Sequence, residues 1–117
     1  MTSMSTPYVQ QLSPALSVAP QLEPSDMAWA AKAGFKSVIN NRPDHEEGPD
    51  QPTNSAMEAA AAAAGLEYAF LPVSPSYQSP EEIASLARLL VTFPKPILAF
   101  CRSGTRSGKL FRAAVGA

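Results

Sequence analysis

The stretch Pro96–Phe100 (PILAF) is the feature that most restricts how this chain can fold. It is a short, unbroken apolar run, and a strand without polar alternation is buried on both faces, as in a parallel sheet covered by helices. The run stops abruptly at Cys101-Arg102-Ser103-Gly104-Thr105-Arg106-Ser107, after which a helix is expected from near Ser107 through Lys109, Leu110 and Phe111. A strand feeding directly into a short polar loop and a helix is half of a βαβ unit. Ligands of such sheets bind beyond the carboxyl ends of the strands, so position alone makes Cys101 a site candidate.

The rest of the chain repeats the alternation. Tyr8–Leu12 and Ala15–Ala19 read as two short strands around the Ser13-Pro14 turn. Glu23-Pro24-Ser25-Asp26 opens a helix, with Met27, Trp29 and Ala30 expected inside and Gly34 ending it. Phe35–Ile39 is a strand, followed by the long polar segment Asn40–Pro52, a length expected of functional or mobile loops. Thr53 or Asn54 caps a second helix through Ala59–Ala64, where alanine gives high helix propensity and close packing. Glu67–Val73 is the next strand. Ser79-Pro80-Glu81-Glu82 combines a capping box with proline at the first helical position, and Ile83, Leu86, Ala87, Leu90 and Val91 follow at helical spacing. The expected fold is a single α/β domain over 8–117, a mainly parallel sheet of about four or five strands flanked by helices. Residues 1–7 are expected to be loosely ordered.

Composition narrows the function classes. A net charge of −1 gives no electrostatic case for nucleic acid or an anionic membrane. One cysteine excludes an internal disulfide and a multi-thiolate zinc site. The polar start Met1–Thr6 lacks the pattern of a signal peptide, and no apolar run approaches membrane-spanning length, so a cytoplasmic protein is expected. The 12 prolines fall largely at element boundaries and act as punctuation.

The Cys101–Ser107 loop carries the chemistry. A short loop at a helix N-terminus turns several backbone N–H groups toward one centre, and the helix dipole favours an anion there. Gly104 permits the positive φ that a tight cradle needs. Arg106 can fork two donors onto an oxyanion. The attacking form of a cysteine is the thiolate, which such an electropositive setting favours. Ser107 is expected to cap the helix and donate to the sulfur. A buried structural cysteine is the bland alternative, but it leaves two arginines, a glycine and three hydroxyl residues around Cys101 unexplained.

The run FCRSGTRSGKLFRAA is similar to the active loops of two cysteine families. Bacterial rhodaneses, which carry sulfur as a persulfide, have loops very close to CRSGTR. Cysteine-dependent tyrosine and dual-specificity phosphatases pair a Cys with an Arg followed by Ser or Thr, but with one residue more between them than separates Cys101 from Arg106. The ring here has the rhodanese length. Over the whole chain, FKSVINNRPDHEE, the QP after it, AGLEYAFLPV and KPILAFCRSGTRS resemble the bacterial phosphatase-like domain named for beta-lactamase hydrolase-like proteins, across about residues 8–115. A rhodanese tail has no counterpart, and Tyr68–Val73 resembles the strand before the acid loop of dual-specificity phosphatases.

The resemblance implies a dual-specificity-phosphatase-like fold, Cys101 as nucleophile, Arg106 as oxyanion clamp and Ser107 as thiolate stabiliser. Arg102, Ser103, Gly104 and Thr105 would line the substrate site, with Arg102 outward or at its entrance. The aspartate general acid of those phosphatases is replaced here by Ser74-Pro75-Ser76, with no carboxylate until Glu81. Asp44, with Glu46 and Glu47 as alternatives, is the candidate acid, because its loop leaves a parallel strand at the same edge; such acids also commonly just solvate a loop. His45 reads as a surface residue. Arg42 either adds positive potential for an anionic substrate or pairs with Asp44 or Glu46. Three functions stay open: a phosphatase using a phosphocysteine, a sulfurtransferase carrying a persulfide, and a weakly catalytic anion-binding module. Each takes an anionic small molecule or phosphoprotein, and none requires a cofactor or metal; the oligomeric state is not readable.

Overall fold

The central strand of the sheet is β5 (Ile97–Phe100), the apolar run, and all four of its residues are buried. A computed structural model describes residues 7–116; the expectation for the N-terminus falls, for residues 1–6, outside the described residues. The other strands are β1 (Gln10–Gln11), β2 (Leu16–Ala19), β3 (Ser37–Asn40) and β4 (Glu67–Phe70). They form one sheet in the order β1-β2-β5-β3-β4. β2, β5, β3 and β4 run parallel, and only β1 at the edge is antiparallel, pairing Gln10 with Val18. The chain is therefore the expected single-domain α/β fold with a mainly parallel sheet.

Alternation along the strands builds two cores. Leu98 and Phe100 face one layer with Val38, Met27, Ala30, Met57 and Ala61. Ile97 and Ala99 face the other with Leu16, Val18, Ile39, Leu86, Leu110 and Phe111. The first layer is covered by α1 (Asp26–Lys32) and α2 (Asn54–Ala63), the second by α3 (Pro80–Thr92) and α4 (Thr105–Val115). The alanine run of α2 belongs in this packing: Ala61 is fully buried beside Met57. Small side chains there allow the helix to approach the sheet.

Several boundaries differ from those expected, each for a local reason. β1 shrinks to two exposed residues, paired with β2 alone at the edge of the sheet. β4 ends at Phe70; Leu71 and Val73 still donate to the Asn40 and Asn41 carbonyls, but Pro72 between them has no N–H to continue a ladder. Trp29 is half-buried, and Val91 is 80 % exposed, outside the apolar stripe that Leu89 and Phe93 complete. α4 starts at Thr105, two residues before the expected start, with Gly104 as its N-cap. No helix among the described residues is long and apolar enough to cross a membrane.

The strand order places the site. β5 lies between β2 and β3, so the chain passes over it on the way from one to the other and returns to fill the gap last. The segments leaving the C-terminal ends of β2, β3, β4 and β5 consequently meet at one edge of the sheet.

Candidate active site

Cys101 follows β5 directly and is 1 % exposed. Its N–H donates to the Ala19 carbonyl of β2, and the next carbonyl, of Arg102, accepts from Gln21. These bonds fasten the loop to the segment after β2. The chain then reverses through Gly104, whose N–H donates to Cys101 Sγ at 3.1 Å. Gly104 has φ 91°, and a Cβ there would lie in van der Waals contact with the Ala19 backbone at 3.4 Å. The left-handed conformation is what calls for glycine. The first main-chain bond of α4 runs from Gly108 to the Gly104 carbonyl, so the N–H groups of Arg106 and Ser107 lie in the open first turn of the helix.

Arg106 is buried, and its guanidinium is divided between two tasks. Nη1 donates to Glu46 Oε2 at 3.0 Å and to the Val73 carbonyl at 3.1 Å, and Nη2 donates to Glu46 Oε1 at 3.2 Å. Nε is buried with no partner among the described residues. Nε and the second Nη2 hydrogen share one edge of the guanidinium, the fork that receives two oxygens of an anion. The carboxylate thus fixes the plane from one edge and leaves the other edge open.

Glu46 is the residue this arrangement turns on. It also accepts from Arg42 Nε at 2.8 Å. Burial opposes its charge, but the hydrogen bonds and charges of Arg106 and Arg42 outweigh that and hold its pKa below the usual carboxylate value. Arg42 in turn is buried, with Nη1 on Gln21 Oε1 and Nη2 on Glu47 Oε1. Glu47 Oε1 lies 3.3 Å from Arg102 Nε as well.

Of the two roles open to Arg42, the structure shows the pairing with Glu46 and not the substrate contact: its three nitrogens are engaged by Gln21, Glu46 and Glu47. Two further expectations are corrected. Asp44 is turned to α2, where its Oδ1 accepts the Asn54 N–H at 2.7 Å, a favourable place for a carboxylate at a helix start. Ser107 neither caps α4 nor gives its proton to the sulfur; its hydroxyl donates to Asn41 Oδ1 at 2.8 Å.

The long loop after β3 is self-bonded. Gln51 donates to the Pro43 carbonyl and accepts from the Glu47 N–H. Asn40 holds the Arg42 N–H and donates to the Tyr68 hydroxyl, which donates to Asn54. Burial, against the lowering effect of the Asn40 bond, pushes the Tyr68 pKa up to about 12, so the hydroxyl keeps the proton this chain of bonds needs. His45 is exposed at φ 62° on the loop's outer turn. Among the described residues no cluster of His, Cys, Asp and Glu could hold a metal ion.

Arg102, Ser103, Thr105 and Arg106 border a cleft of ≈ 300 Å³ together with Pro75 and Lys109. Cys101, which immediately precedes Arg102 in the chain, is buried and is not among the lining residues. The expected loop Cys101–Ser107 divides in the structure into a turn, Cys101–Gly104, and the first residues of α4, Thr105–Ser107; sequence reasoning missed Asn41, Gln21 and Lys109 beside it. The signal for Asn41 was its place: a second amide directly after a buried parallel strand, at the edge where ligands bind.

The model of the beta-lactamase hydrolase-like protein phosphatase-like domain matches residues 8–116. A beta-lactamase hydrolase-like protein of Agrobacterium fabrum is 38% identical over 96 residues, which are 82% of this chain and 22% of that protein. The chain therefore spans about a fifth of the length of this curated relative. Among solved structures, a phosphatase candidate from Neisseria meningitidis superposes with a TM-score of 0.78 at 31% identity, covering 92% of this chain and 78% of that one. The fold alone is shared with P. aeruginosa TpbA, solved in complex with pTyr, at a TM-score of 0.66 and 19% identity, covering 92% of this chain and 64% of that one. With a family model matched across nearly every described residue and the Cys-to-Arg loop at the strand end, the chain belongs to the phosphatase-like domain family of beta-lactamase hydrolase-like proteins.

Proposed function

We propose that the chain is a cysteine-dependent phosphatase-like hydrolase that removes a phosphoryl group from an anionic small molecule or phosphoprotein in the cytoplasm. One observation carries the reading: a buried guanidinium whose Nε has no partner among the described residues, next to a turn closed on Cys101. Leaving a buried donor unmade is costly, and an oxyanion would satisfy it. The complex of TpbA with pTyr supports an anionic substrate for this fold.

In the mechanism, the Cys101 thiolate attacks phosphorus. The bond from phosphorus to the leaving oxygen breaks, and its electron pair departs with that oxygen. The Arg106 fork and the first-turn N–H groups of α4 hold the phosphoryl oxygens as their charge redistributes. Water then attacks the phosphocysteine, the S–P bond returns its pair to Sγ, and inorganic phosphate leaves. The test is release of p-nitrophenol from p-nitrophenyl phosphate, with acid-quenched intact-mass analysis for one phosphoryl group on the protein. Cys101→Ser should abolish both signals. Release that survives in Cys101→Ser, or no release by the wild type, would overturn the reading.

A second reading rests on ring length, since Cys101 to Arg106 has the span of a rhodanese loop. There the thiolate attacks the sulfane sulfur of thiosulfate, the S–S bond breaks, and sulfite leaves with the pair. An acceptor thiolate then takes the outer sulfur of the persulfide. Intact mass after thiosulfate treatment separates the readings: one added sulfur on wild type and none on Cys101→Ser favours transfer of sulfur.

A further inference from the structure

We propose that the phosphoryl donor is a phosphoanhydride, a substrate whose leaving group is itself a phosphate, with Arg102 and Lys109 receiving that second phosphate; this rests on the phosphatase reading above. Two independent observations converge on it.

The first concerns the proton. An alkoxide leaving group needs an acid, and such catalysis typically contributes about 10²–10⁴-fold. No carboxylate borders the cleft, whose wall is Pro75, Arg102, Ser103, Thr105, Arg106 and Lys109. The nearby acids are committed elsewhere. Asp44 holds the start of α2, Glu46 is bound between Arg106 and Arg42, and Glu47 between Arg42 and Arg102. Glu46 is moreover held below the usual carboxylate pKa, so it has no proton to give near neutrality. A phosphate leaving group is a weak base and departs without one.

The second concerns charge. Besides Arg106, the wall carries two more cations and no aromatic ring on which an aryl ester could stack. Lys109 is exposed and has no ion-pair partner among the described residues. The Arg102 side chain is 68% exposed, and its carboxylate neighbour, Glu47, is shared with Arg42 at the shorter distance of 2.7 Å. A lone monoester would satisfy Arg106 and leave Lys109 unpaired and Arg102 with only its 3.3 Å contact to the shared Glu47. A terminal phosphoryl in the ring and its neighbouring phosphate against Arg102 and Lys109 would use all three. In the reaction, Cys101 attacks the terminal phosphorus, the bridging P–O bond breaks, and its pair stays on the bridging oxygen, now part of the departing phosphate. The two cations stabilise the charge that grows there.

The experiment compares kcat/KM for benzyl diphosphate, p-nitrophenyl phosphate and benzyl phosphate, with Cys101→Ser as background. Benzyl diphosphate should exceed p-nitrophenyl phosphate by about tenfold, the effect of one charged contact. Benzyl phosphate, which needs an acid, should be slowest. Arg102→Gln and Lys109→Gln, both exposed and compatible with folding, should each lower the diphosphate-to-aryl-phosphate ratio by about fivefold or more. Cys101-dependent turnover of p-nitrophenyl phosphate with no preference for the diphosphate, or a ratio unmoved in both variants, would overturn the proposal while leaving the phosphatase reading in place. No Cys101-dependent turnover of any of the three would remove both.

Discussion

Arg106 is oriented before a ligand arrives, because Glu46 and the Val73 carbonyl fix one edge of its guanidinium. Preorganisation of this kind spares the reorganisation otherwise needed in the transition state. Arg106→Lys keeps the charge but cannot pair with Glu46 and an oxyanion in one plane. Turnover of p-nitrophenyl phosphate should fall by about 10²–10³ in kcat/KM, the loss typical of a missing oxyanion donor. Glu46→Gln tests the support itself. Its folded pKa is depressed, so its charge stabilises the fold above the unfolded carboxylate value, and that contribution disappears as pH falls through the folded value. At pH 7 the variant should be less stable by about 1–3 kcal/mol, the cost of leaving buried donors short of a partner. Urea melts of wild type and variant at pH 7 and in acid read this directly. The gap should narrow in acid; a gap that widens there would contradict the assignment.

The elements differ in how local their causes are. The start of α3 is entirely local: Glu82 N–H donates to Ser79 Oγ, and Ser79 N–H donates to Glu82 Oε1, within four consecutive residues. It was therefore legible from sequence, and Ser79→Ala should lower stability by about 1 kcal/mol in a urea melt with activity retained. The start of α4 was not legible in the same way. Ser107 looks like a cap, but its hydroxyl is drawn away by Asn41 from a distant strand end, and Gly104 takes the cap position in a left-handed conformation. Phe35–Ile39 and Glu67–Val73 both read as strands. Where they stop depends on which neighbour still offers a ladder partner, which a single strand does not encode.

Across the whole molecule, contiguous chemistry was readable and assembled chemistry was not. Cys101, Gly104 and Arg106 fall within six consecutive residues, so their spacing announced them. Glu46 reaches Arg106 only because β3 and β5 are neighbours in the sheet. Asn41 is the clearest case of such assembly. Its N–H donates to the Phe100 carbonyl, its amide nitrogen to the Leu71 carbonyl, and its own carbonyl accepts from Val73. Its side-chain oxygen accepts the Ser107 hydroxyl. One buried amide thus joins the ends of β3 and β5, the segment after β4, and the first turn of α4. Asn41→Ala removes the acceptor for Ser107 and the donor to Leu71, so it should cost about 1–3 kcal/mol, as for other buried groups left unpaired. Ser107→Ala removes one end of the same link. If that bond couples the strand ends to α4, the double variant should be less destabilised than the sum of the singles, with an interaction energy of about 0.5–3 kcal/mol. Denaturant melts of the four proteins give the cycle. Strict additivity would mean that Asn41 and Ser107 act separately and that their bond does not couple the strand ends to α4.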